Sequence, residues 1–331
     1  MGPRKRKMLL SSGFVALDVV QSVKGTWLRA GGTAANVAAN LAFLGWSSRL
    51  AATIGDDDAG HLVQSDLADA GVDVGWLELR AGIGTPLVVH EVRETGHRFK
   101  FGCAACGRTY ARHTPIGLQR SSGLAEKTSL ADIFFFDRPS AAALALAEAH
   151  TSAGKLVVYE PSTTSRADAH SRAVHLANVV KYSSERAQNF QSLLPRPRPE
   201  QLWIVTQGNR GAKFKFDHRK WRPVSAFSVQ TVDAAGSGDW MTAALLHGLP
   251  EIRAWNGDLI RGAILRAQAV AALNCLVPGA RLLASAIDIQ GLERRVSQVM
   301  AGHPPDPTDL IADNIDMEGR CPACRLPLAA S

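Results

Sequence analysis

No stretch of this chain stays apolar for the ~18–20 residues that a bilayer-spanning helix needs, so a helical membrane protein is excluded. The basic start, from Met1 to Lys7, meets only Leu9 and Leu10 before polar Ser11 and Ser12. That apolar segment is too short for the core of a secretory signal, and a cytoplasmic protein is expected. No long internal repeat is visible. Cysteine is scarce, five in 331 residues, yet a chain of this length buries enough surface to hold a core without disulfide staples. What remains is ordinary globular composition, 46% hydrophobic and 20% charged. The net charge of +7 suits an anionic ligand or nucleic acid. The Lys and Arg residues are spread along the chain rather than gathered in one stripe, which argues against a nucleic-acid interface. Arg4 to Lys7 reads as a solvated tail.

Strand and helix patterns alternate along most of the sequence. Residues 8–20 read as a strand. Residues 34–44 read as a helix, entered through Gly31-Gly32-Thr33 and closed by Gly45. Residues 48–54 form the next strand, and 59–70 a helix that stops at Gly71. Such alternation predicts a parallel or mixed sheet with helices on both faces. The region 75–101 breaks the pattern: two short strands, 87–89 and 97–101, flank the turn Glu94-Thr95-Gly96 with no helix between them. They predict a small antiparallel flap, followed by an irregular loop to Pro115. Strands then recur at 133–136, 156–159, 178–181 and 202–205, with a helix at 140–153. An antiparallel pair is expected over 214–227, and helices over 238–249, 259–276 and 287–299. The expected layout is one α/β domain over 1–300, with its flap within about 75–115, and a Pro- and Asp-rich tail over 301–331.

The most informative segment is Val232-Asp233-Ala234-Ala235-Gly236-Ser237-Gly238-Asp239-Trp240. Small residues precede a helix whose first turn carries an acid. Backbone N–H groups there can converge on one point and, with the helix dipole, form an anion site. An Asp beside such a site can take a proton from an alcohol while the amides hold a phosphoryl group. Alone, the segment equally fits a Gly-rich loop in which Asp239 only caps the helix. A second Gly-rich segment lies far upstream: Gly31-Gly32-Thr33-Ala34-Ala35-Asn36-Val37-Ala38, then Gly45 and Gly55. Its glycines let backbone approach a polyol, and Asn36 can donate to and accept from hydroxyls. It also fits a plain helix start with a buried Asn.

Together the two segments resemble the two signatures of the ribokinase-like (PfkB) kinase family, in the family's order. Asp233 and Gly236-Ser237-Gly238-Asp239 follow its D-T-x-G-A-G-D pattern, with Ala234 in place of the usual Thr. The resemblance covers about residues 8–300. It implies a three-layer α/β/α sandwich with a small β flap as lid, and ATP-dependent phosphorylation of a hydroxymethyl group on a sugar or nucleoside. Asp18, Gly31, Gly32 and Asn36 would then hold the acceptor, and Asp239 would be the general base. The N–H groups of Ala235, Gly236, Ser237 and Gly238 would cradle the phosphoryl group. Thr206, Gly208 and Gly211 resemble the family's T-x-G-x-x-G loop at the ATP phosphates, and Asn274 would lie beside adenine. Asp233 and the Gly279 loop would hold a monovalent cation such as K+. The family's N-x-x-E element, whose Glu orients Mg2+ through water, is replaced by Lys181-Tyr182-Ser183-Ser184-Glu185, leaving Glu185 as the metal-side candidate. Fructose, ribose, a sugar acid and a nucleoside all fit as acceptors.

Four cysteines form two C-x-x-C pairs, Cys103/Cys106 and Cys321/Cys324, while Cys275 sits in an apolar run as a core residue. Two such hairpins can supply a four-thiolate zinc site, with Zn–S near ~2.3 Å. The tail is long enough to cross the domain and be fastened beside the lid. Free or redox-active thiol pairs, or a metal shared between chains, satisfy the same pattern. Two rival functions stay open: a catalytically weak ligand sensor with the same pocket, suggested by the altered 181–185 segment, and a zinc-containing nucleic-acid binder. An exposed edge on the flap sheet would favour a homodimer.

Overall fold

The computed structural model describes residues 6–22, 25–93, 96–103, 107–119, 123, 131–162, 167–187, 197–217 and 219–310. Its larger sheet begins with β1 (Met8–Ser12); β2 (Ala16–Ser22) and β3 (Gly25–Gly31) follow in a second sheet. Then come α1 (Thr33–Phe43), β4 (Ser47–Gly55), α2 (Asp58–Asp69), β5 (Val72–Asp73), β6 (Leu77–Arg80), β7 (Leu87–Arg93) and β8 (Gly96–Lys100). The central part holds β9 (Ile133–Phe136), α3 (Ala141–Ser152), β10 (Leu156–Tyr159), α4 (Ala167–Leu176), β11 (Val179–Ser183), α5 (Ser184–Ala187) and β12 (Leu202–Thr206). The chain continues through β13 (Ala212–Lys215), β14 (Arg222–Val224), α6 (Ser237–Gly248), α7 (Gly257–Asn274), α8 (Leu282–Ala286) and α9 (Ile289–Met300).

The larger sheet runs β14-β13-β12-β11-β10-β9-β1-β4-β5, with β6 also against β4. Its centre, from β12 through β4, is parallel, and β13 and β14 close one edge antiparallel. Parallel strands buried on both faces should be apolar throughout, and Ile133-Phe134-Phe135-Phe136 is. Alternate residues supply opposite cores. Leu9, Ile133, Phe135, Val158, Val179 and Ile204 face one cluster. Leu10, Phe134, Phe136, Val157, Val180 and Trp203 face the other. Buried residues of α1, α2, α6, α7 and α9 fill the first cluster, and those of α3 and α4 the second. This is the three-layer α/β/α sandwich expected from the sequence. Among the described residues, no helix is long and apolar enough to cross a membrane.

The flap is larger than the sequence suggests. It is a four-stranded sheet, β3-β2-β7-β8, so half of it comes from the N-terminal region rather than from 75–115. The expected single strand over 8–20 breaks at Gly13, whose φ is 145° and whose missing Cβ would sit 1.7 Å from Asp137 Oδ1. The next residue, Phe14, donates its N–H to that same Asp137 oxygen at 2.8 Å. The turn sends β2 out of the main sheet, where it pairs antiparallel with β3 and parallel with β7. Helix α4 is absent from the sequence reading because its buried stripe, His170, Ala173 and Val174, is interleaved with Asp168, Ser171 and Arg172.

Candidate active site

Ligand sites of open α/β sheets lie outside the carboxyl ends of the parallel strands. Here those ends lead into Gly13 after β1, Glu160 after β10, Glu185 after β11 and Gln207 after β12. The lid sheet joins this edge through the corner Gly31-Gly32. A Cβ on Gly31 would lie 2.0 Å from the Asp18 carboxyl carbon, and one on Gly32 (φ 88°) 2.4 Å from the Phe14 carbonyl oxygen. Glycine is therefore what lets the lid strand bearing Asp18 press onto the start of α1.

Asp239 lies in the first turn of α6. Gly236, the residue before that helix, is left-handed with φ 71°, and no side chain caps the helix start. The N–H of Ala235 donates to Asp233 Oδ1 at 3.0 Å, and that of Ser237 to the Ala234 carbonyl at 3.3 Å. Those two amides are thus engaged within the loop, which corrects the four-amide cradle expected from the sequence. The N–H groups of Gly236 and Gly238 find no acceptor among the described residues and stand at the positive end of the helix.

Asn36, buried on α1, donates Nδ2 to Asp239 Oδ2 at 2.7 Å, while its Oδ1 is buried with no partner. Burial pushes the Asp239 carboxyl up to about 7, helped by the nearby Glu160, while Asn36, Lys181 and Arg186 pull it down. Asp18 is likewise pushed up to about 7 by burial, with the His90 ring pulling it down and the Asp239 charge pushing it up. Each carboxyl is half-buried rather than sealed. Two acids far apart in sequence thus lie close enough for the Asp239 charge to act on Asp18. A carboxyl poised near neutrality beside free amides is what proton abstraction coupled to phosphoryl transfer requires.

The residues expected beside the ATP phosphates form a tight connection. Thr206 ends β12, and Gln207 donates its N–H to the Gly211 carbonyl at 2.7 Å. Gly208 and Gly211 have φ of 61° and 91°, and a Cβ on Gly211 would lie 2.2 Å from the Val224 carbonyl oxygen. Glu185 is exposed on α5. Asn274 is fully buried, and its Nδ2 donates to the Ala235 carbonyl at 2.7 Å. Its amide supports the loop before α6. Asp233 is buried at the Gly279 loop, accepting the Gly279 N–H at 2.7 Å. Of the paired cysteines, Cys103 is buried; its N–H donates to the Arg108 carbonyl and its carbonyl accepts the Gly107 N–H, each at 2.9 Å. Cys106, Cys321 and Cys324 lie outside the described residues.

Residues with no sequence signal complete the site. Lys181, 1% exposed, pairs with Glu160 at 2.8 Å and donates to the Gly238 carbonyl at 3.1 Å. Thr242 donates to the other Glu160 oxygen at 2.6 Å. This buried network clamps the first turn of α6 to the ends of β10 and β11. On the lid side, Arg281 is paired with Asp66, and both also hold the Ala30 peptide: Arg281 donates to its carbonyl at 3.2 Å, and Asp66 accepts its N–H at 2.8 Å.

The family described as pfkB family carbohydrate kinase matches residues 9–286. Fructokinase-1 of Oryza sativa subsp. japonica is 28% identical over 278 residues, covering 73% of this chain and 83% of its own. A fructokinase of Salmonella typhimurium is 30% identical over 260 residues, covering 72% and 82%. Aminoimidazole riboside kinase of Salmonella typhimurium is 26% identical over 287 residues, covering 81% and 89%. Among solved structures, Vibrio cholerae O395 fructokinase in its fructose-, ADP- and calcium-bound form shares the fold. Its TM-score is 0.69 at 21% identity, over 87% of this chain and 98% of that one.

Proposed function

We propose, since the chain belongs to the pfkB family of carbohydrate kinases, that it transfers the γ-phosphoryl group of ATP to a hydroxymethyl oxygen of a sugar or riboside, with Asp239 as general base. The observation that carries this reading is the Asp239 carboxylate, oriented by Asn36 and set in the first turn of an uncapped helix, within the electrostatic reach of Asp18. Asp18 and the free Oδ1 of Asn36 would orient acceptor hydroxyls. The acceptor proton would pass to an Asp239 oxygen as its oxygen bonds to the γ-phosphorus. The bond from that phosphorus to the β–γ bridging oxygen would break, and ADP would leave. The N–H groups of Gly236 and Gly238 would face the transferring group, where positioning and charge neutralisation supply most of the rate. Relatives named as fructokinases and as an aminoimidazole riboside kinase support fructose and ribosides as the first acceptors to try.

Magnesium needs only one or two carboxylates when phosphates supply its other ligands, and the exposed Glu185 at the end of β11 fits that role. Bound with ATP, the ion would neutralise phosphate charge. The lid would close over the acceptor and exclude water. A zinc held by Cys103, Cys106, Cys321 and Cys324 would fasten the tail to the lid's base; the two C-x-x-C spacings, which suit paired zinc knuckles, support this. A homodimer paired along the β8 edge is supported by the exposed Phe99 and Phe101 beside it.

The test is ADP release and product mass with ATP and a panel of fructose, ribose, sugar acids and ribosides. Acceptor-dependent ADP release with a product heavier by one phosphoryl group is expected. Tight binding of an acceptor with no turnover would favour the sensor reading instead.

A further inference from the structure

Asp233 opens the second signature, yet its surroundings do not suit a metal ion. Hard cations take oxygen ligands, carboxylates and carbonyls above all. Three donor groups surround the Asp233 carboxylate. The N–H of Ala235 reaches Oδ1 at 3.0 Å, and that of Gly279 reaches Oδ2 at 2.7 Å. His90 Nε2 lies 3.3 Å from the same Oδ2, with both side chains buried. His90 comes from the lid. It sits on β7 opposite Val20 of β2, and its ring lies against Phe99 of β8 with centroids 4.6 Å apart. Val20 also meets the Gly279 loop: a Cβ on Gly279 would be 3.0 Å from Val20 Cγ2. The lid therefore meets the Gly279 loop through Val20 and the loop before α6 through His90, which reaches the acid beneath the cradle.

We propose that His90 takes the place a monovalent cation would occupy at Asp233, so that this kinase does not respond to potassium and its lid is tied directly to the phosphoryl cradle. A buried carboxylate must be balanced by a cation or by donors. Two amides and a ring N–H, or an imidazolium, provide that balance without a free ion. The assignment needs the ring proton at Nε2, which the imidazolium and the Nε2–H tautomer of the neutral ring both carry. The three donors also hold Asp233 ionised: burial pushes its carboxyl up, and His90 with the two amides outweighs that. His90 also lowers the Asp18 carboxyl. It is a positioning residue, placed between the acceptor's acid and the cradle's acid.

The inference rests on the kinase reading for its catalytic arm only. Thermal unfolding of the full chain is followed with KCl exchanged for choline chloride at constant ionic strength, in the wild type, His90→Ala and His90→Gln. A specific cation bound well above its Kd would raise Tm by several degrees. The wild type is expected to show no potassium-specific shift. His90→Ala, with one donor removed from Asp233, is expected to gain one, and His90→Gln, which keeps an N–H donor, to behave as the wild type. Turnover with an accepted sugar or riboside should follow the same pattern, with His90→Ala lowering kcat more than it raises KM. A saturable rise in wild-type Tm with potassium overturns the proposal. So does a folded His90→Ala that stays indifferent to potassium. Should His90→Ala not fold, potassium dependence in His90→Gln overturns it and indifference supports it. Failure of every acceptor to turn over would count against the kinase reading while the unfolding arm still decides this one.

Discussion

The carboxyl of Asp239 near 7 makes a pH-rate profile the sharpest perturbation of the site. Proton abstraction needs the ionised form. With a midpoint near 7, roughly one tenth of the enzyme carries the ionised base at pH 6 and about nine tenths at pH 8. The quantity kcat/KM should therefore fall about tenfold per pH unit below the midpoint and level off above it. Asp18 lies in the same field, so the acidic limb belongs to the pair rather than to either acid alone. Asn36→Ala removes the hydrogen bond that lowers Asp239, and the limb should move to higher pH. Stability takes the opposite sense. Both acids hold protons more tightly folded than unfolded, so their contribution is complete below the unfolded value of 3.8 and is lost as pH rises through about 7. The apoenzyme should be more stable toward unfolding near pH 5.5 than near pH 8 as far as these groups decide it. The assay is initial-rate ADP release from pH 5.5 to 9 at subsaturating acceptor, with parallel thermal unfolding. A profile flat from pH 5.5 to 8, in wild type and Asn36→Ala alike, would show that no base titrating near 7 limits the reaction.

Lys181→Met leaves Glu160 buried without its cation and should cost about 3–5 kcal/mol, the usual penalty for breaking a buried pair; urea unfolding measures it, and a loss under about 1 kcal/mol would count against the clamp. Gly236→Ala places a Cβ 2.3 Å from the Ala280 Cα at a φ of 71° and should cost more than about 1 kcal/mol, with a lower kcat, as read by unfolding and kinetics together. Purified protein should contain one zinc per chain by elemental analysis, lost in Cys321→Ser; a metal-free chain with four titratable thiols at these positions would remove the zinc proposal.

Much of the site was legible because its chemistry needs particular residues at fixed spacing. Gly236 must be left-handed against Ala280, and Gly31 must admit the Asp18 carboxyl, so glycine marks both places in the sequence. The strand alternation likewise revealed the sandwich, since Ile133–Phe136 must be apolar on both faces. The lid's first half was not legible, because one rotation at Gly13 separates β1 from β2 inside a single apolar run. Lys181 and Glu160 were also hidden: Lys181 lies inside β11 and Glu160 follows β10, and only the pairing of those neighbouring strands brings them together. His90 resembles any lid residue until the sheet turns it onto Asp233. Nor does the sequence signal that helix α7 brings the Asn274 amide onto the Ala235 carbonyl.

Asp239→Asn keeps the shape of the side chain and removes its ability to take a proton. The decisive measurement is its turnover beside that of wild type, with acceptor affinity taken from thermal shift on the same samples. A fall in kcat of about 10²–10⁴-fold with acceptor affinity changed little is expected. Turnover within a few-fold of wild type at saturating ATP and acceptor would contradict the role assigned to this carboxylate.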